Sequence, residues 1–411
     1  MTQYYITLNE EDLHHLFSGN DESLREVIEQ FVNQVLEQQR TEQINAEPYE
    51  RTEQRRGMRN GYKERGLTTR VGTLTLRVPQ IRNGIFTTDI FERYQRSERA
   101  LIATLMEMVV NGVSTRKVAR ITEELCGTSF SASTVSQLCK DLDVSLRAWK
   151  ERDLSKTLYP FLILDGIVIK VREDGKVRPF SLLVATGINQ EGYREILGME
   201  LGNSETEESW SKFFKDLKAR GLRGVDIVVS DNHGGLVNAV ERHFQGSTWQ
   251  RCQTHFAKNI LDSCPKNMQK DLKSYLRAIF EAPDISTARH MLNLTLEVFS
   301  GKAPRAMEIL EDGFDDAVAV LNLPARYRKR LRTTNGQERL NQEIRRRERV
   351  IRIFPNRESA LRLIGALLME QDEAWSTGKK YFEMDEYWEW KKQEQEQHCE
   401  IGEVVSVMTG V

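Results

Sequence analysis

Residues 161–169 read Phe-Leu-Ile-Leu-Asp-Gly-Ile-Val-Ile, an apolar run of strand length with one carboxylate, Asp165, at its centre. Burying an unpaired charge is costly, so whatever this chain folds into must bring a partner to Asp165. A second acid, Asp231, directly follows the apolar Ile227-Val228-Val229 and Ser230, and opens Asp231-Asn-His233-Gly-Gly235. A third, Glu338, lies in Thr333-Thr-Asn335-Gly-Gln-Glu338-Arg-Leu-Asn341, within a helical pattern. Taken singly, each acid has a plain explanation. An Asp at a strand end caps or turns the chain, and a helix Glu pairs with neighbouring arginines.

The order of elements joins the three. Strand-like runs at 160–171, 180–189 and 194–202 precede a helix at 205–219, with Trp210, Phe213, Phe214 and Leu217 on one face. A strand at 225–230, a helix at 234–244 and a short strand at 247–252 follow. This is the order of a ribonuclease H-like mixed sheet, with Asp165 on the first strand and Asp231 at the end of the fourth. Residues 256–330 turn helical and read as an all-α insertion before the helix of Glu338. The expected organisation is therefore an N-terminal helical region over 1–44, a basic DNA-binding region over 45–150, core segments over 157–256 and 331–385 split by the insertion at 257–330, and an acidic tail over 386–411. Leu24, Val27, Ile28, Phe31, Val32, Val35 and Leu36 mark a helix at 21–44, suited to packing or self-association. Alternation from Val71 predicts a strand ending at Pro79.

Residues 98–150 read as helices. Asn111-Gly112 and Gly127 are the breaks, Ser114 is a cap, and a further helix opens at Ser131. Helix, turn and Ser/Thr-led helix make a helix-turn-helix pattern, an ordinary helical hairpin being the other reading. It nominates Arg116, Lys117, Ser133 and Thr134 for contact with DNA. Net charge is only −2, but it hides a basic stretch from Arg51 to Arg82, a basic block around Arg345-Arg346-Arg347 and the acidic end. Three consecutive arginines cannot share one helix face, so some of Arg345, Arg346 and Arg347 are expected to meet solvent or phosphate. The scattered Cys126, Cys139, Cys252, Cys264 and Cys399 suit a reducing compartment. The expectation is a cytoplasmic protein with no membrane segment, nucleoid-associated when bound to DNA.

Two carboxylates on strands and one on a later helix form the ligand set of a two-metal phosphoryl-transfer site. Mg²⁺ is the expected ion, with Mn²⁺ as substitute, because it takes hard carboxylate oxygens, keeps waters and accepts substrate phosphate. Asp165 would bridge two ions, with Asp231 and Glu338 holding one each. Asp174 reads as a hairpin turn residue, Asp226 as a turn residue before its strand, and Glu343 as a salt-bridging residue on another helix face. Cys252-Gln-Thr-His255 has ligand spacing, but a structural zinc site wants four ligands. His233 stands near Asp231 as a supporting or phosphate-contacting group, a structural hydrogen-bonding role being the other reading for both histidines. Trp210 and Trp249 are expected in the core.

Over roughly residues 50–385 the chain resembles the mutator-type transposases of bacterial insertion sequences. The motifs are Asp165-Gly-Ile-Val-Ile-Lys170-Val-Arg172, Ser230-Asp231-Asn-His233-Gly-Gly235-Leu236 with Trp249-Gln-Arg-Cys252-Gln-Thr-His255, and the run from Thr333 through Asn335, Glu338, Asn341 and Glu343 to Arg347, then Phe354-Pro355-Asn356. The resemblance implies a ribonuclease H-like catalytic domain with a helical insertion and acids at Asp165, Asp231 and Glu338. It also implies a Cys252/His255 pair near them, and Mg²⁺-dependent strand cleavage and transfer at terminal inverted repeats. Val168 and Glu348 depart from the family's Tyr and Thr, which touches local packing and charge but no acid. Partners are then double-stranded DNA, both element ends and target, and a second copy of the chain as a homodimer. A catalytically silent DNA-binding descendant would have a damaged acid set, and a nuclease on the same fold would need no end reader.

Overall fold

The computed structural model describes residues 21–396, apart from residues 70, 83, 89, 91–98, 112 and 127–129. The expected breaks Gly112 and Gly127, residues 1–20 and the tail residues 397–411 lie outside the described residues. The chain divides into two units, residues 1–141 and 142–411.

In the first unit, α1 (Asp21–Ile44) is the amphipathic helix the spacing predicts. Its apolar face packs on an antiparallel hairpin, β1 (Met58–Thr69) and β2 (Gly72–Arg82): Leu36, Ile28 and Val32 meet Leu67, Leu74 and Leu76. That covering, with Phe31 left exposed, assigns the helix face to packing. Its polar side chains close the β2 edge, as Glu29 accepts from the Thr75 amide at 2.7 Å and Asn33 from the Arg77 amide at 2.7 Å. Strand β1 is missing from the sequence reading because it is mostly exposed and polar, with no alternation to detect. Strand β2 also outruns Pro79. The register shift between Arg59 and Tyr62 lies opposite that proline, where a ladder donor is not needed. Helices α2 (Arg99–Val110), α3 (Thr115–Cys126) and α4 (Ala132–Leu138) share a small core of Leu101, Leu105, Val118, Phe130 and Val135. Ser131 caps α4 by accepting from the Thr134 amide at 3.1 Å.

The second unit begins with α5 (Leu142–Lys150), which the sequence grouped with the preceding region. Its Asp143 accepts two bonds from Arg362 at 2.6 Å each, and its Trp149 donates to Asp372 at 2.7 Å. The sheet comprises β3 (Phe161–Glu173), β4 (Lys176–Ile188), β5 (Arg194–Gly202), β6 (Ile227–Ser230) and β7 (Thr248–Arg251) in the order β5-β4-β3-β6-β7. Only β4 runs antiparallel to the rest. Asp174 and Gly175, both at positive φ (49° and 75°), make the two-residue turn joining β3 to β4.

Central strand β3 is buried on both faces at its start. Leu162 and Leu164 meet α6 (Glu207–Ala219) and α7 (Gly234–His243) through Trp210, Phe213, Phe214, Leu217, Leu236 and Val240. Phe161 and Ile163 face the opposite core of Tyr327, Leu331, Phe382 and Tyr387. Helices α8 (Gln253–Asp262), α9 (Gln269–Phe280), α10 (Ile285–Phe299), α11 (Pro304–Asp312) and α12 (Phe314–Val318) pack around a core of their own, whereas α13 (Ala325–Leu331), read from the sequence as part of the same insertion, packs through Tyr327 and Leu331 on the sheet. The insertion leaves and returns at one point, where the Gln253 amide donates to the Arg332 carbonyl at 2.9 Å. Then come α14 (Asn335–Ile351) and α15 (Arg357–Ser376). The stretch assigned to an acidic tail is partly core. Residues 385–396 are helical, and fully buried Tyr387 packs on Phe161 and donates to Asp226 at 2.6 Å. Aromatic residues among the acids hold this segment down.

Candidate active site

The register of the parallel strands brings the first two acids level. Ile163 of β3 lies beside Val229 of β6, so Asp165 and Asp231, each two residues further, stand at the same height. Asp165 belongs to the odd-numbered face of β3, which α14 covers. Contacts step along the pair: Thr186 of neighbouring β4 donates to Gln337 at 2.7 Å, Asn341 to the Asp165 carboxylate, and Arg345 to the Val168 carbonyl at 2.6 Å. Helix α14 therefore runs along β3, with Asn341 meeting Asp165 and Glu338 three residues earlier.

Asp165 is 8% exposed. Burial pushes its carboxyl up to about 6, with Asp231 adding to the rise against the opposing hydrogen bonds of Asn341 and the Gly166 amide and the charge of His255. The rise is chiefly the cost of burying this carboxylate. His255, on the first turn of α8, stands among all three acids, its Nε2 4.0 Å from Glu338. The Cys252 thiol raises the imidazole most, Asp231 and Asp165 add, and the ring reaches about 9 against the cost of burial. Its Nδ1 is buried without a well-aligned hydrogen-bond partner among the described residues.

Cys252 ties the acids' elements together. Its amide donates to Ser230 at 2.7 Å beside Asp231, and its sulfur accepts from the amide of Thr334, the N-cap of α14, at 3.4 Å. Burial pushes the thiol up, but His255 and Thr334 outweigh it and leave the thiol below its ordinary value. This is a pin between β6, β7 and the helix of Glu338, a role that ligand spacing alone did not indicate.

A fourth acid escaped the sequence reading. Glu205, in the turn before α6, lies so close to Gly166 that an added Cβ there would come within 2.6 Å of its carboxylate. It accepts from Trp210 at 3.3 Å. Burial raises its pKa, His233 opposes and Asp231 reinforces the rise. The only trace in the sequence is the glycine beside Asp165. His233 is the N-cap of α7 without a side-chain capping bond. Asn335 sits exposed at the first turn of α14, its side-chain oxygen 3.4 Å from the Thr254 hydroxyl.

The donor set fits Mg²⁺. The three sequence-nominated acids supply hard oxygens, and the buried Oδ1 of Asn341 has no hydrogen-bond partner among the described residues, a vacancy that a hydrated cation's waters would fill. Among the described residues no three His, Cys, Asp or Glu side chains already converge as a cage. Mg²⁺ does not require one, since it keeps waters and takes substrate oxygens.

The three nominated arginines separate. Arg347 is 4% exposed and pairs with Glu343, which removes it from any DNA surface. Arg346 pairs with Glu343 at 3.1 Å and Arg345 with Glu348 at 2.6 Å, both nearer solvent. Glu343 is the salt-bridging acid expected, and Trp210 is core. Asp226 is no plain turn residue but an acceptor for Tyr387 and Lys391. In the first unit Arg116 and Lys117 are exposed on α3, while the Ser133 and Thr134 hydroxyls each lie 2.8 Å from the capping Ser131 hydroxyl.

Residues 1–378 match the family described as Transposase, Mutator family, starting well before residue 50, the start of the resemblance read from the sequence. The chain is 46% identical over 390 residues to the transposase for insertion sequence element IS256 in transposon Tn4001 of Staphylococcus aureus, covering 94% of this chain and 100% of the relative. It is 47% identical over 374 residues to the ISRM5 transposase of Rhizobium meliloti, covering 91% and 94%. It is 37% identical over 371 residues to the IS1081 transposase of Mycobacterium tuberculosis, covering 90% and 89%. Among the described residues no helix is long and apolar enough to cross a membrane.

Proposed function

The chain belongs to the Mutator family of transposases, and on that premise we propose that it cuts and joins DNA at the ends of an insertion sequence through Asp165, Asp231 and Glu338. The observation that carries this reading is the level placement of Asp165 on β3 and Asp231 just past the end of parallel β6, with α14 laid along β3 to bring in Asn341 and Glu338. The strand order, with its single antiparallel member, supports a ribonuclease H-like core.

Mg²⁺ held by the three acids would activate a water or 3′-hydroxyl and stabilise the leaving oxygen. The chain's own groups prepare that chemistry. Asn341 and the Gly166 amide, the latter 3.0 Å from Oδ1, fix the Asp165 carboxylate. Imidazolium at His255 balances the acids before the cation arrives. Cys252 holds the start of α14 so that Glu338 stays in reach. Hydrolysis breaks a phosphodiester at the element end and frees a 3′-hydroxyl. That hydroxyl attacks a phosphodiester of the target, forming one bond as it displaces another. Exposed Arg116 and Lys117 on α3 and the first turn of α4 are the proposed reader of terminal inverted repeats. Pairing two ends calls for two copies of the chain, on a surface other than the covered face of α1.

The test is cleavage of duplex DNA carrying the element's own end, with Mg²⁺ or Mn²⁺, by wild type and Glu338→Gln. Expected are metal-dependent nicking by wild type and loss of at least 100-fold in the variant, on the order of removing a transition-state electrostatic group. Full activity of Glu338→Gln would refute the acid assignment. Cleavage indifferent to end sequence would favour a plain nuclease.

A further inference from the structure

We propose that Arg194, Arg330 and Arg339, gathered around Tyr381 beside the first turn of α14, form a subsite for a backbone phosphate of the DNA strand leading into the active site. The proposal rests on the DNA-processing reading above and adds where the strand is held. Arg194 opens β5. Its guanidinium lies between two rings, 4.0 Å from the centroid of Trp375 and 4.4 Å from that of Tyr381. Arg330, on α13, lies 4.8 Å from the Tyr381 centroid on its own account and donates to the Tyr381 carbonyl. Arg339 directly follows Glu338 and is exposed.

These three cations lack what neighbouring arginines have. Arg345, Arg346 and Arg347 on the same helix, and Arg332 just before it, each face a carboxylate. Among the described residues none of Arg194, Arg330 and Arg339 is paired with an acid. Burial chiefly disfavours the Arg194 charge; Tyr381 opposes this, and Arg330 and Arg339 add to it as like charges. A half-buried, stacked guanidinium facing two more cations is an arrangement that an anion would relieve.

The shape favours phosphate. A guanidinium clamped between rings is a fixed planar fork, suited to paired phosphate oxygens. Beside it is the start of a 17-residue helix, whose dipole favours an anion there, although the Asn335, Gln337 and Glu338 amides are already bonded to Thr333 and Thr334. Gly336 sets that start against the cluster: an added Cβ would lie in ordinary contact, 3.5 Å from Arg194 Nη1 and 3.6 Å from Tyr381 Oη. Position fits as well. Arg194 pairs with Ile188, and Ile188 with Phe161, four residues before Asp165 on β3. That is about 13 Å along the strand.

The test is binding, without metal and hence without cleavage, of full-length protein to a fluorescent duplex carrying the element end, over a salt series. Arg339→Gln and Arg194→Gln are each expected to weaken binding roughly 10-fold and to lower the salt slope by about one. A scan of single methylphosphonate substitutions should find one phosphate whose neutralisation weakens wild type but not Arg339→Gln. Because Arg339 is exposed, its variant reads the subsite even if Arg194→Gln disturbs the ring stack. Unchanged affinity and slope in Arg339→Gln, with no methylphosphonate coupling, would overturn the subsite and leave cleavage untouched. Wild type that binds with these effects but never cleaves would sink the functional reading and leave the subsite standing.

Discussion

Replacing Asp165 with Asn should stabilise the metal-free protein while abolishing its chemistry. The carboxyl is buried and held at about 6, against an ordinary 3.8, chiefly by desolvation. That difference corresponds to about 3 kcal/mol. The folded state holds the proton more tightly than the unfolded one, so the cost is absent below pH 3.8. It grows as pH rises and is complete above 6. Asn carries no such cost, and the site has room for it: Asn341 Oδ1 is buried without a partner, so turning the Asn341 amide lets it accept from the new side chain. All six tryptophans lie at or beyond Trp149, so their fluorescence in urea reports the second unit. In chelator at pH 8 the variant should be more stable than wild type by about 1–3 kcal/mol, with the gap shrinking toward pH 5. Mg²⁺ should then stabilise wild type by mass action and the variant far less. A variant equal to or weaker than wild type at pH 8 in chelator would refute the claim that this carboxylate is buried without sufficient compensation.

Adjacent glycines at the start of α7 should part company. A Cβ at Gly235 would meet the backbone nitrogen of Glu207 at 2.6 Å, whereas one at Gly234 meets nothing within 4 Å. Gly235→Ala is expected to cost about 1–3 kcal/mol or more and Gly234→Ala nothing measurable, by urea midpoint; equal effects would show that the two helix starts do not touch. Tyr387→Ala removes a fully buried ring on Phe161 and a bond to Asp226, and should cost about 3–5 kcal/mol. A loss under about 1 kcal/mol would mean that residues 385–396 are not part of the core. Cys252→Ala leaves the Thr334 amide buried without its acceptor, an expected loss of about 1–3 kcal/mol, with cleavage falling further than DNA binding. Equal falls in both would argue against a pin on the helix of Glu338.

The sheet was legible because apolar runs, Gly-containing turns and helix spacing agree from 160 to 252. The acids were legible through contrast, a carboxylate where the neighbours are apolar. Strand β1 gave no such contrast, and its pairing depends on β2 rather than on its own pattern. The last helix was hidden by composition, since acidic residues outweigh the few aromatics that bury. Glu205 was invisible for a different reason. Its carboxylate matters only because Gly166 is bare, and one residue's absence of a side chain does not name its neighbour. Arg347 shows the reverse error, a charge that spacing could not sort between surface and interior.

The hydrogen bond from Gln253 to Arg332 bears on how the chain is assembled. Strand β7 and helix α14 must meet across residues 254–331, and closing a loop of that length in an unfolded chain carries an entropic cost and slows folding. The insertion has its own core of local helix contacts. If it folds first it brings Leu321 back near Phe256, and the long closure becomes a short one. The helices between the acids then act as a folding jig, setting Glu338 beside the sheet before any DNA is bound.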